Sequence, residues 1–91
     1  MPKLTPDELS LALQGLPGWS AQEDQISKTF EFHSYLEGLD FAMALGQEAE
    51  RRDHHPDMTV TWRKVEVALS THSEGGITEK DTSLAEFAEG L

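Results

Sequence analysis

Three of the four histidines in this sequence lie in two short segments whose residue types suit proton transfer. His54 and His55 are adjacent and follow Asp53, with Glu50 about one helical turn earlier, and His72 lies further along the chain. Histidine is the side chain whose unperturbed pKa, about 6.5, allows it to give or take a proton at neutral pH. The sequence therefore predicts acid–base chemistry centred on these imidazoles.

The spacing around the histidine pair predicts which groups meet. A long helix should run toward this segment and end before Pro56, because a residue that precedes proline disfavours helical geometry. If helical geometry persists to the end of the segment, Glu50, Asp53 and His54 occupy positions i, i+3 and i+4 and share one face. The two carboxylates are then expected to orient the imidazole and to stabilise its positive charge.

A zinc site is the main chemical alternative, because three histidines and Glu50 are residue types that zinc commonly binds. Adjacent His54 and His55 point in different directions unless the backbone bends, and their spacing matches no zinc motif. We therefore expect no metal ligand among these residues.

Composition limits the possible classes of function. A chain of 91 residues is predicted to form a single domain over residues 1–91, and self-association would add burial that so small a core lacks. The absence of cysteine excludes disulfides, thiolate metal ligands and a cysteine nucleophile. No apolar run approaches the roughly 18 residues of a membrane span, and the start of the sequence has no signal-peptide pattern. We expect a cytoplasmic homo-oligomer with no membrane contact.

The charge balance argues against a nucleic-acid partner. The formal net charge is −10, with only 7 lysines and arginines against 17 aspartates and glutamates. Affinity for nucleic acid depends largely on basic side chains that displace counterions from phosphates. No basic patch of the required size is present, so we predict no nucleic-acid binding.

Hydrophobic patterns and capping residues predict three helices and four strands. The first helix starts at a capping box of Thr5 and Glu8 and ends before Pro17-Gly18. A brief strand opens at Trp19, and a second strand covers Ile26–Phe32. The longest helix starts at Ser34, paired with Glu37, and ends at about Arg52.

The second half of the chain repeats this alternation. Two strands are predicted at Met58–Trp62 and Val65–His72, joined by Arg63-Lys64, and the last helix begins at a capping box of Thr78 and Asp81. The order α-β-β-α-β-β-α predicts an α+β fold, with helices on one face of a four-stranded antiparallel sheet. His72 would end its strand on the less apolar face, together with Ser70.

These motifs together resemble the pterin-4a-carbinolamine dehydratase family. The likeness covers essentially the whole chain and is densest from Glu50 onward. The matching segments are Gly18-Trp19, Phe30-x-Phe32, Glu50-x-x-Asp53-His54-His55-Pro56, Val65-x-Val67-x-Leu69-Ser70-Thr71-His72, Gly76-Ile77-Thr78-x-x-Asp81 and Leu84-Ala85.

The resemblance implies an enzyme that removes water from a 4a-hydroxytetrahydropterin, without metal or organic cofactor, in tetrahydropterin recycling. An aromatic amino acid hydroxylase would supply this substrate. By the same likeness His54, His55 and His72 form the catalytic set. Since the elimination needs one proton given and one taken, we expect His54 and His72 to be the acid and base pair, in either order, and His55 to hold the pterin. The residues expected to line the substrate site are Glu50, Asp53, Pro56, Ser70, Thr71, Asp81 and Trp19. From the small core and the exposed sheet edges and helix stripes, we expect a homodimer or a homotetramer.

Other features weigh on this interpretation. The position of Met58 is usually aromatic in the family, so pterin stacking would differ here, although Trp62 occupies a second position that is often aromatic. Asp81 is expected mainly to cap its helix, and Trp19 suits a core position. His33 has no predicted role.

A non-catalytic interaction module that stabilises oligomers of a partner protein remains an alternative function, because some family members do so for a transcription factor.

Overall fold

The helices and strands alternate in the predicted order. A computed structural model of the chain describes residues 2–91. Its elements are α1 (Pro6–Gln14), β1 (Ser20–Gln22), β2 (Gln25–Glu31), α2 (Tyr35–Arg52), β3 (Asp57–Thr61), β4 (Lys64–Leu69), a one-turn 3₁₀ helix (His72–Glu74) and α3 (Glu79–Glu89).

Side-chain caps determine where the helices begin. The Thr5 hydroxyl accepts the Glu8 amide at 3.1 Å, and the Glu8 carboxylate accepts the Thr5 amide at 2.8 Å, which closes the predicted capping box of α1. Ser34 likewise caps α2 by accepting the amide of Glu37. The Glu37 carboxylate, however, accepts the amide of His33 rather than that of Ser34, so the predicted second box is only half formed.

The four strands form one antiparallel sheet in the order β1-β2-β4-β3. The register aligns Ile26 with Leu69, and it aligns Val65 with both Phe30 on one side and Val60 on the other. Because side chains alternate along a strand, these residues project from the same face. The sequence-based prediction of an α+β fold with an antiparallel sheet is confirmed.

Apolar side chains on that face form the core with α2 and α3. Burial is complete or nearly so for side chains from both sheet and helices, namely Ile26, Val65, Val67, Leu69, Leu45, Leu84 and Ala85. α1 contributes no fully buried residue, and only Leu9 and Leu13 pack against the core from it. The opposite face of the sheet carries mostly polar side chains, including Thr29, Thr59 and Glu66, and is left open.

One lysine interrupts the apolar face of β2. Lys28 lies between Ile26 and Phe30, and its ammonium reaches the carboxylate of Glu89 and the carbonyl of Pro17, each at 2.7 Å. The same Glu89 oxygen accepts the indole N–H of Trp19 at 3.0 Å. The end of α3 is therefore fastened to the sheet by a carboxylate that takes two donors.

Several strand boundaries differ from the sequence-based prediction: β2 and β3 each begin and end one residue earlier than expected, and larger changes affect β1, the β3–β4 turn and β4. β1 begins at Ser20 rather than at Trp19, because Trp19 turns into the core. The β3–β4 turn consists of Trp62 and Arg63 rather than Arg63 and Lys64, since Thr61 pairs with Lys64 and Arg63 takes a positive φ of 65°. Pattern alone could not locate this turn because it contains neither glycine nor asparagine.

The end of β4 also differs from the prediction, and it concerns a predicted site residue. β4 ends at Leu69, and Thr71 forms only an isolated bridge with Gly76. His72 therefore opens the 3₁₀ helix instead of ending a strand.

No helix within residues 2–91 is both long and apolar enough to cross a membrane. The longest is α2, with 18 residues, and it lacks the apolar character that a bilayer crossing requires.

Candidate active site

The histidine pair is positioned by the way α2 ends. Asp53 adopts the left-handed conformation, with φ 52° and ψ 44°. The amide of His54 donates a hydrogen bond to the carbonyl of Ala49 at 3.0 Å, and the amide of Asp53 donates one to the carbonyl of Glu50 at 3.2 Å. This is the Schellman pattern of helix termination. The chain therefore leaves the helix before His54, and Glu50, Asp53 and His54 do not share one helical face as the spacing predicted.

His54 points inward to a buried carboxylate. Its Nε2 lies 2.6 Å from Oδ1 of Asp81, whose side chain has no exposed surface, while the imidazole itself is 11% exposed. A carboxylate can only accept a hydrogen bond, so Nε2 is the atom that carries the hydrogen. The other ring nitrogen, Nδ1, is left to exchange a proton.

Two threonines complete the surroundings of Asp81. Its second oxygen accepts the Thr71 hydroxyl at 2.8 Å and the Thr78 amide at 2.9 Å. The two hydroxyls lie 2.8 Å apart. Because the Thr71 hydroxyl has one hydrogen and gives it to Asp81, the Thr78 hydroxyl must donate to Thr71. The carboxylate thus receives three hydrogen bonds from three different segments of the chain.

His55 turns to the opposite side. Its Nε2 lies 2.5 Å from a carboxylate oxygen of Glu50, and both side chains are more than half exposed. The consecutive imidazoles are therefore held differently: His54 by a buried carboxylate on α3, and His55 by an exposed one on α2. An exposed pair of this kind is loosely held and is screened by solvent.

His72 lies at an open cavity of about 630 Å³. The cavity is also lined by Ser70, whose hydroxyl donates to the carbonyl of Asp24 at 2.6 Å. A volume of this order suits a small organic molecule. His72 and Ser70 do share one surface, although His72 is not in a strand.

His54 lines a second and smaller cavity of about 220 Å³, together with Arg52 and Lys80. Arg52 is held there by Glu48 at 2.7 Å. His54 and His72 thus line different cavities. They are linked through Asp81, which bonds both to the His54 ring and to Thr71, the residue immediately before His72.

The remaining predicted site residues have distinct positions. Thr71 is 4% exposed and Asp81 is fully buried, so the geometry gives them the role of positioning other groups. Trp19 is 6% exposed and packs edge-to-face on Phe30, with ring centroids 5.9 Å apart. Asp53 is exposed, and none of the observed hydrogen bonds joins its carboxylate to an imidazole.

Pro56 and Met58 lie where the chain enters β3. Pro56 is half-buried between the histidine pair and the strand. Met58 is also half-buried and packs against the core, and its terminal methyl lies near Gly46 of α2. The side chain of Met58 therefore faces the helical layer. Trp62, at the β3–β4 turn, is 73% exposed and has the Arg63 guanidinium 5.0 Å from its ring centroid.

Residues that could bind a metal ion do not converge in this structure. Within residues 2–91, no three side chains drawn from histidine, cysteine, aspartate and glutamate come close enough together to hold one. The His54–Asp81 and His55–Glu50 pairs are separate units. The site instead offers imidazoles with one nitrogen fixed by a carboxylate.

Sequence reasoning missed two contributions to the site. Thr78 was identified only as a helix cap, yet its hydroxyl also supports Thr71. The β1–β2 turn, including Gln22 and Gln25, contributes to the His72 cavity and carries no local motif that indicates this. Its proximity follows from the pairing of β2 with β4, which places the turn beside the residues after Leu69.

The left-handed residue at the end of α2 leads to a stability prediction. We expect the free energy of unfolding of Asp53→Val to be about 1–3 kcal/mol lower than that of Asp53→Gly, because a β-branched side chain is strained at positive φ. Asp40, exposed in the middle of α2, provides the control, since glycine is less favourable than valine within a helix. Urea denaturation measures the unfolding free energy of Asp53→Val, Asp53→Gly, Asp40→Val and Asp40→Gly. The glycine variant should be the more stable of the two at position 53, and the valine variant should be the more stable at position 40. The same order at both would contradict the structural role assigned to Asp53.

Comparisons with known proteins show which family the chain is similar to. The model of the family described as pterin 4 alpha carbinolamine dehydratase matches residues 2–91. A protein of Natronomonas pharaonis is 54% identical over 89 residues, which cover 98% of this chain and 95% of that one. A protein of Mycobacteroides abscessus is 48% identical over 86 residues, covering 94% and 92%. Both are provisionally named pterin-4-alpha-carbinolamine dehydratase.

Solved structures extend the comparison. A crystal structure described as a transcriptional coactivator/pterin dehydratase from Brucella melitensis has a TM-score of 0.94 and 33% identity, with 97% of this chain and 96% of that chain covered. A pterin dehydratase-like protein described as a RuBisCO assembly factor of the alpha-carboxysome has a TM-score of 0.66 and 20% identity, covering 79% and 83%. The second likeness shows a shared fold alone.

Proposed function

Because this chain belongs to the pterin-4-alpha-carbinolamine dehydratase family, we propose that it catalyses the loss of water from a 4a-hydroxytetrahydropterin, giving a quinonoid dihydropterin. His54, His55 and His72 are the proposed proton-transfer and binding groups. An aromatic amino acid hydroxylase is the proposed source of the substrate, and the reaction belongs to tetrahydropterin recycling.

One observation carries the proposal: a single buried carboxylate fixes both histidine segments. Asp81 bonds to the His54 ring and to Thr71, which directly precedes His72. A positioned acid or base contributes typically about 10²–10⁴-fold to a rate, provided that its geometry is held. The arrangement suits a reaction that needs proton transfers and no redox chemistry, because one carboxylate holds both histidine segments in position.

The elimination requires one proton to be delivered and another to be removed. The bond between C4a and the hydroxyl oxygen breaks as the oxygen receives a proton and leaves as water. The neighbouring ring nitrogen loses its proton, and its electron pair forms the new C=N bond. Two imidazoles in opposite protonation states balance this reaction. We assign these roles to His54 and His72, which requires the bound pterin to reach both of the cavities that the two rings line.

A coupled assay tests the proposal directly. Chemically prepared 4a-hydroxytetrahydropterin is mixed with the purified protein, and formation of quinonoid dihydropterin is followed against the spontaneous rate. We expect a rate that rises in proportion to protein concentration. A rate equal to that of buffer at every concentration would reject the function.

His55 is expected to affect binding more than chemistry. Because its ring is exposed and paired only with Glu50, we expect His55→Ala to raise KM by about 10-fold, the effect of losing roughly 1.4 kcal/mol of binding, with a smaller change in kcat. Steady-state kinetics of this variant and of His33→Ala, an exposed histidine at the start of α2, provide the measurement. A fall in kcat with unchanged KM would assign His55 to proton transfer instead.

We also propose that the protein works as a homo-oligomer. Leu36, Leu39 and Met43 form an exposed apolar row at i, i+3 and i+7 on the side of α2 that faces away from the core. A second copy of the chain would cover this row and enlarge a small core.

Light scattering coupled to size-exclusion chromatography measures the assembly. We expect the wild-type mass to be that of a dimer or a tetramer, and the Leu36→Glu/Met43→Glu variant to shift toward the monomer while keeping its helical circular dichroism. Gln14→Glu, an exposed change at the end of α1 and outside this row, is the control. A monomeric wild type at micromolar concentration would contradict this proposal.

A further inference from the structure

The cavity at His72 has one wall that belongs to neither histidine segment. Four consecutive residues of the β1–β2 turn, Gln22 to Gln25, line it together with Ser70 and His72. Gln22 and Gln25 form the last cross-strand pair, and Glu23 and Asp24 are the two turn residues between them. The volume of about 630 Å³ falls within the range of small-molecule sites.

This wall is held against the segment that carries His72. The Ser70 hydroxyl donates to the Asp24 carbonyl at 2.6 Å, which connects the turn to the end of β4. Ile26 also pairs with Leu69, so the two segments lie side by side as soon as the strands end. A ligand that contacts His72 therefore meets the turn as well.

The wall formed by the β1–β2 turn carries two kinds of polar side chain, amides and carboxylates. Gln22 and Gln25 supply two primary amides, each with an acceptor oxygen and a donor nitrogen. Glu23 and Asp24 supply two carboxylates, and no lysine or arginine lines this cavity. The wall thus offers paired donors and acceptors to a flat polar heterocycle and repels an anionic group.

We propose that the β1–β2 turn is the specificity-determining wall of the substrate site, and that it selects a pterin whose side chain carries no negative charge. The inference rests on the proposed function and adds the substrate class. The Gln22 and Gln25 amides pair with the amino and oxo groups along the edge of the pterin ring, much as an amide side chain pairs with the edge of a purine base. The carboxylates of Glu23 and Asp24 disfavour a phosphorylated or glutamylated side chain.

The expected selectivity is moderate and depends on salt. Both turn carboxylates are exposed, so solvent and ions weaken their field, and the Debye length falls from about 30 Å at 0.01 M salt to about 3 Å at 1 M. We expect kcat/KM to favour a neutral side chain over the same side chain bearing a phosphate by about 3–10-fold at 0.01 M salt, and by less than about 2-fold at 1 M.

The test compares two chemically prepared carbinolamines that differ only in a side-chain phosphate. kcat/KM is measured for each at both salt concentrations with the wild type and with Glu23→Gln/Asp24→Asn, which keeps the shape of the turn. The matched control is Asp40→Asn/Glu66→Gln, which removes two exposed charges outside this cavity. We expect the turn variant to accept both substrates equally, and the control to retain the wild-type preference.

A second measurement tests the amides. Gln22→Leu and Gln25→Leu should each raise KM for the neutral substrate about 5–10-fold with little change in kcat, because they remove hydrogen bonds present in both ground and transition states. Gln47→Leu on α2 should leave KM unchanged.

The outcomes separate this inference from the proposed function. Dehydration of both substrates with equal kcat/KM at low salt would overturn the inference while supporting the dehydratase function. A preference that persists in the turn variant would also overturn it. No acceleration of either substrate would overturn both.

Discussion

Replacement of Asp81 by alanine is expected to destabilise the protein by about 3–5 kcal/mol, because it leaves buried donors of His54, Thr71 and Thr78 without their acceptor. Domains of this size are typically stable by about 5–15 kcal/mol, so the loss is a large fraction of the total. The carboxylate also caps α3, and that contribution is lost with it.

Urea denaturation followed by circular dichroism measures this effect. Glu86→Ala, an exposed change on the same helix, should alter the unfolding free energy by less than about 0.5 kcal/mol. Asp81→Asn retains the volume and one acceptor oxygen, and it should fall between the wild type and the alanine variant. An Asp81→Ala midpoint close to that of the wild type would show that the network does not support the fold.

Replacement of His72 by alanine is expected to slow the proposed dehydration by about 10²–10⁴-fold with almost no change in stability. The reason is its position: His72 is exposed at the start of a one-turn 3₁₀ helix and lines the cavity, so it contributes little to the core. Asp81 and His72 thus have opposite expected effects, one mainly on folding and the other mainly on rate.

The measurement combines the coupled assay with thermal denaturation. His33→Ala is the matched control, because it removes an exposed imidazole from a different surface cavity. Its rate and melting temperature should equal those of the wild type. A His72→Ala variant with the wild-type rate would remove His72 from the mechanism and leave His54 as the remaining candidate for proton transfer.

The overall layout could be predicted because its signals are local. Thr5 with Glu8 and Thr78 with Asp81 mark helix starts through short-range hydrogen bonds, and the alternation of Val65, Val67 and Leu69 marks a buried strand. Each of these signals is complete within a few residues. The corresponding elements appear in the structure with small shifts at their ends.

The site was less predictable because it depends on backbone torsions and long-range contacts. Nothing in the residue type requires Asp53 to be left-handed, yet that conformation ends α2 before His54 and takes His54 off the helical face of Glu50. The 3₁₀ turn at His72 likewise follows a strand pattern that alternates beyond the point where pairing ends. The contact between His54 and Asp81 joins residues that are far apart in sequence, and no short motif specifies it.

The attachment of α3 at both ends connects the His54 site to the fluorescence of a buried tryptophan. Asp81 and Glu89 are separated by about 12 Å along the helix axis, at a rise of about 1.5 Å per residue. Glu89 holds the indole N–H of Trp19, so a displacement of α3 at His54 would alter the environment of that buried fluorophore. Trp62, the only other tryptophan, is largely exposed, and acrylamide would quench its emission preferentially. The shielded emission that remains could serve as an intrinsic reporter of ligand occupancy without any added dye.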